Sequence, residues 1–133
     1  MKIRTILPSI LLAAVCCSFH PEDTLSGIWE YNGGIYNGKA ETASKDYKLQ
    51  RKYDAAHYTG MFIEKGEDTL TYEKGDYKLL PDTCLETQTF SSQPSQVTGV
   101  TLRYRYRISN DSLIFKGKLP NGTNVEEYWK KVK

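Results

Sequence analysis

Outside its first eighteen residues this 133-residue chain has one cysteine, Cys84. A single thiol cannot close an intramolecular bridge, so no disulfide framework is expected to hold the fold. Histidine is nearly as scarce, with only His20 and His57, and no His/Cys spacing suited to a metal occurs. No glycine-rich phosphate loop and no recognisable nucleophile motif is present. Asp54 and His57 can meet at a turn, but no serine or cysteine nucleophile accompanies them, and Cys84 has no neighbouring base. The expectation is therefore a protein without metal, cofactor or catalytic residues. A surplus of basic charge is missing as well. Of 18 basic residues, Lys2 and Arg4 sit in the leader, and the remaining sixteen balance sixteen acidic ones. Nucleic-acid binding leaves a basic excess, so neither that role nor a polybasic membrane patch is expected. The longest apolar run, Ile6 to Val15, falls well short of the roughly 20 residues that span a bilayer, so no transmembrane segment is expected.

What is present begins with an export signal. Lys2 and Arg4 form a basic start, Ile6 to Val15 an apolar stretch, and Cys16-Cys17-Ser18 a small-residue cleavage region. Residues 1–18 are read as a secretory signal and 19–133 as one domain, a length that suits a single core. The expected location is periplasmic or secreted. Cys16 or Cys17 as a lipid anchor, giving an outer-membrane lipoprotein, is the alternative, with plain cleavage favoured.

Beyond the signal the chain reads as short alternating segments at spacings near ten residues. Leu25-Ser26-Gly27-Ile28-Trp29-Glu30-Tyr31 opens the series, with Trp29 as an indole plug. Residues 32–44, with three glycines and little periodicity, read as a long loop flanking a mouth, with a helical turn near Ala40 to Ala43. Strands are expected over Asp46 to Tyr53, His57 to Lys65, Thr69 to Glu73, Gly75 to Leu80, Cys84 to Phe90, Val97 to Ile108 as the longest, Ser112 to Leu119 and Thr123 to Val132. Gly60, inside the second of these, suggests a bulge. The pattern predicts an all-β, antiparallel up-and-down barrel of about eight to nine strands, which removes its edges by closing on itself.

Leu25-Ser26-Gly27-Ile28-Trp29 resembles the Gly–x–Trp signature of lipocalins and their calycin relatives. The runs Tyr58-Thr59-Gly60-Met61-Phe62-Ile63-Glu64 and Tyr72-Glu73-Lys74-Gly75, with the ending Gly122 to Val132, are similar to a family of small lipocalin-like proteins exported by Gram-negative gut bacteria. The resemblance implies a lipocalin-like barrel and an exported compartment, and no particular ligand. Lipocalins set an arginine over the indole, and here Lys130 and Lys131 stand nearest that place.

Ten tyrosines suit a half-wet interior, each offering apolar area with a polar tip. Tyr47, Leu49, Arg51 and Tyr53 share a face, and so do Leu102, Tyr104, Tyr106 and Ile108. Tyr47, Arg51, Tyr53, Tyr104 and Tyr106 are the candidate ligand-binding residues. An inward Arg51 needs a partner: an internal Glu or Asp, or a snorkel to the barrel mouth, is the favoured reading, and the carboxylate or phosphate of a ligand is the other. Arg103, Arg105 and Arg107 are expected on a solvated face, answered by acidic residues on a neighbouring strand. The expected function is the non-covalent holding of a small hydrophobic or amphipathic ligand. The alternative is an envelope or secreted protein-interaction module with a filled core.

Overall fold

The computed structural model describes residues 24–132. The signal expected over 1–18, with Cys16 and Cys17, lies outside the described residues. Among them nine strands form and no helix does: β1 (Gly27–Tyr36), β2 (Lys39–Glu41), β3 (Tyr47–Tyr53), β4 (His57–Glu64), β5 (Leu70–Leu79), β6 (Thr83–Ser91), β7 (Thr101–Ser109), β8 (Ser112–Lys118) and β9 (Asn124–Lys131). β3 to β9 pair in sequence order, and β1 bonds both β3 and β9. Eight strands thus close into an antiparallel barrel, and β2 is an extra hairpin arm on β1. Closure leaves neither β1 nor β9 with an open edge along its paired length.

The chemistry of the turns follows the residues. Asn110 carries a φ of 55° in the β7–β8 hairpin, and Gly122 donates to Leu119 at the next. Register shifts at Tyr31/Gly34, Gly60/Met61 and Lys74/Gly75 bend the strands enough to curve the sheet.

Three expectations about the strands are corrected. Residues 32–44 are not a long loop with a helical turn, because β1 runs on to Tyr36 and turns at Asn37-Gly38 into β2. The φ values of 49° and 80° there are those of a tight hairpin turn, for which Asn-Gly is the favoured pair. Gly75 does not start a new strand but lies inside β5. A Cβ at Gly75 would collide with the Thr87 carbonyl and the Tyr58 ring, so the glycine marks a close approach between neighbours. Finally, β7 begins only at Thr101, after a turn in which Val100 donates to the Val97 carbonyl. The ten-residue β1 and β5 are longer.

The interior divides into a filled end and an open end. Leu25, Trp29, Tyr53, Tyr58, Cys84, Leu113, Phe115 and Trp129 form the packed core, with Tyr106 and Ile108 against it. Trp29 is the plug: it is 1% exposed and its indole N–H donates to the Leu25 carbonyl at 2.8 Å. The Lys131 ammonium sits 5.6 Å from the Trp29 ring centroid, a cation–π contact where the resemblance had led to Lys130 or Lys131. Alternation on β9 turns Trp129 inward and leaves Tyr128 half-exposed.

Arg103, Arg105 and Arg107 do lie on the exposed face of β7, but the expected acidic partners are not opposite them. Their direct cross-strand neighbours are Leu85, Thr83, Lys116 and Ile114. Sequence alternation identifies the solvated face, whereas register decides what stands beside each arginine.

Candidate functional site

The open end begins where the core stops, at Arg51. Alternation on β3 points Arg51 inward between Leu49 and Tyr53, and Gly60 lies directly opposite on β4. Its Nη1 donates to Glu86 at 3.0 and 3.2 Å, and its Nη2 donates to Glu73 at 2.8 Å. The side chains of Arg51, Glu73 and Glu86 are 14%, 10% and 3% exposed. Burial disfavours the guanidinium charge, but Glu86, Tyr53 and Glu73 outweigh it and hold Arg51 protonated. The guanidinium also lies 5.0 Å from the centroid of Tyr58 and 5.2 Å from that of Trp129. Its Nε is buried without an acceptor among the described residues. Tyr53 donates its hydroxyl to Glu86, and Gln88 donates to Glu73, so a polar network crosses the barrel.

On the open side of this network is a cavity of about 430 Å³. Its walls mix aromatic rings, from Tyr31, Tyr36, Tyr47, Tyr72 and Trp129, with polar and charged side chains that include Arg51, Glu73 and Glu127. The β1–β2 hairpin and the residues after it form one side of the rim, through Glu41, Thr42, Ala43 and Ser44. The hairpin therefore flanks the mouth, as the sequence reading had placed it, although as strands. Arg51 and Glu73 also border a second space of about 170 Å³ lined by Glu86, Gln88, Leu102 and Tyr104. The ion pair thus stands between two chambers.

Three acidic side chains and one basic one occupy this part of the interior. Glu127, half-buried, accepts the Trp129 indole N–H at 3.0 Å. Desolvation raises its pKa against the opposing pull of Arg51 and the indole bond, and Glu86 and Glu73 push it the same way as burial. The Tyr31 and Tyr36 hydroxyls hydrogen-bond to each other at 2.7 Å.

A stability prediction follows from Glu127. In the unfolded chain the carboxyl releases its proton at its ordinary pKa, but in the fold it does so at a higher pH. The stability cost is absent below the unfolded value and complete above the folded one. Glu127→Gln, neutral throughout, should raise Tm at neutral pH and lose that advantage at about pH 4, near the ordinary carboxylate value. Thermal melts at the two pH values check this. The charged and titratable groups around Glu127 are Arg51, Glu73, Glu86, Tyr31, Tyr36, Tyr72 and Tyr104, and the variant leaves them all in place.

The five candidate residues from the sequence separate in space. Tyr47, 38% exposed, stands at the rim with its ring 4.7 Å from Phe62, and both Tyr47 and Arg51 line the larger cavity. Tyr53 lies within the core, holding Glu86. Tyr104 borders the smaller chamber and packs on Phe115. Tyr106 is at the closed end, where its hydroxyl donates to the Leu80 carbonyl at 2.9 Å. Tyr31, Tyr36, Tyr72, Glu73 and Glu127 line the cavity without having been expected there. Glu127 alternates with Val125 and Trp129 on one strand face, a signal that could have found it. Tyr72 and Glu73 are adjacent, and only the shift at Gly60/Met61 lets both reach the cavity.

Cys84 is buried in the core, and desolvation with the Glu86 charge pushes its thiol well up. His57 is exposed at a strand end, its Nδ1 2.6 Å from Asp76 Oδ1. No group of three or more metal-ligating side chains occurs among the described residues.

No protein-family model and no curated protein sequence matches the chain. Solved structures do. A lipocalin-like protein from Bacteroides uniformis is 16% identical, with a TM-score of 0.58 over 81% of this chain and 98% of that one. A point mutant of the fluorescent protein UnaG is 8% identical, with a TM-score of 0.42 over 82% of this chain and 96% of that one. With its closed eight-stranded barrel and the first of these likenesses, the chain has the lipocalin-like fold.

Proposed function

We propose that this protein is an exported carrier that holds a small amphipathic molecule non-covalently in the open end of its barrel, and that it acts by binding rather than catalysis. The observation that carries this reading is the cavity of about 430 Å³ walled by aromatic rings, a volume within the usual range of ligand pockets. The network on Arg51 gives that space a rigid floor, since each of its carboxylates is held by more than one donor. Export rests on the basic and apolar leader, with a periplasmic or secreted destination, and Cys16 or Cys17 supplies a lipid anchor if cleavage precedes it.

The test is retention. Purified protein incubated with a mixed small-molecule extract, desalted and measured by native mass spectrometry should show a discrete added mass. Trp129, which lines the cavity, should change its fluorescence on binding. Repeated recovery of the bare protein alone would remove the carrier reading. The filled lower half and the row of Arg103, Arg105 and Arg107 on the exposed face of β7 favour the second reading, a protein-interaction module that works through its outer face.

A further inference from the structure

We infer that the cavity selects organic cations, with an ammonium head seated beside Glu127 among the rings of Tyr31, Tyr36, Tyr72 and Trp129. This deepens the carrier reading and rests on it. The cavity lining contains the carboxylates of Glu30, Glu41, Glu73 and Glu127 against two basic side chains, Lys48 and Arg51. Arg51 is held by Glu73 and by Glu86 beneath it. Lys48 is 64% exposed and lies 3.8 Å from Glu30. Among the described residues no basic side chain forms an ion pair with Glu41 or Glu127.

Each ligand class then meets a different field. An anionic amphiphile approaches carboxylates and finds the guanidinium Nη atoms already donating to Glu73 and Glu86. A wholly apolar ligand would displace water from Glu127 and leave that carboxylate uncompensated, which is costly. A cation supplies the missing charge, and its methyl or N–H groups face rings whose π faces attract it. Among the described residues, the hydrogen bond to the Glu127 carboxylate comes from the Trp129 indole to Oε2. The raised pKa of Glu127 agrees with a carboxylate that the protein itself does not fully compensate.

The experiment uses three probes that share one skeleton: phenylbutyltrimethylammonium, phenylbutanol and phenylbutyrate. Titration calorimetry on the wild-type protein and on Glu127→Gln reads the affinities. The cation should bind about tenfold or more tightly than the alcohol, as a desolvated cation–π and charge contact implies, and the carboxylate should bind weakest. In Glu127→Gln the cation should lose most of that advantage while alcohol binding persists, which also shows that the variant is folded. Alcohol or carboxylate binding equal to or tighter than cation binding overturns the inference and leaves the carrier reading standing. Binding of none of the three overturns it too, and the carrier reading falls with it only when the mixed-extract measurement is also empty.

Discussion

Arg51→Met should destabilise the protein by about 3–5 kcal/mol, the usual consequence of removing one partner from a buried ion pair. Two carboxylates, Glu73 and Glu86, would be left in the interior with no cation between them. The retained donors, Tyr53 to Glu86 and Gln88 to Glu73, satisfy part of each carboxylate but neutralise neither. Urea denaturation would show the loss as a lower midpoint with an unchanged slope. Adding Glu73→Gln and Glu86→Gln should recover most of the loss, because the penalty comes from unpaired charge rather than from missing volume. If Arg51→Met alone were as stable as the wild type, the charged floor would not be the element that closes the core.

Trp29→Ala is expected to cost a similar amount, about 3–5 kcal/mol, as large-to-small changes at buried aromatic positions do. The ring is sealed at 1% exposure, and its removal would leave a void beneath the core and the Leu25 carbonyl without its donor. Trp29→Phe separates these effects. It keeps much of the volume but loses the hydrogen bond, so about 1–3 kcal/mol is expected for the unsatisfied carbonyl. Chemical denaturation followed by near-UV circular dichroism distinguishes the two variants. Trp29 does not line the cavity, so the folded fraction of either variant should bind ligand as the wild type does. A marked affinity loss in well-folded Trp29→Phe would show that the plug and the cavity are coupled.

Alternation alone placed the large features. Tyr47, Leu49, Arg51 and Tyr53 share a face in the structure as they do in the sequence, and Arg51 has the internal acidic partners that burial of a charge demands. Trp29 is sealed at one end, in keeping with its reading as an indole plug. Local chemistry carried the turns at Asn110 and Gly122 and the bulge at Gly60. The hairpin at Asn37-Gly38 was equally legible in its residues and was hidden only by the glycines at Gly33 and Gly34, which break the apparent period.

The antiparallel barrel and its closed end therefore belong to the amino-acid sequence itself, because side-chain period and turn preference act over a few residues. Which carboxylates face Arg51, that Glu127 lines the cavity without a basic partner, and that Tyr53 and Tyr106 fill the core instead of the mouth were decided by the tertiary structure. Those facts depend on register between strands far apart in the chain. A shift such as that at Gly60/Met61, which brings both Tyr72 and Glu73 to the cavity, exists only once the barrel has closed.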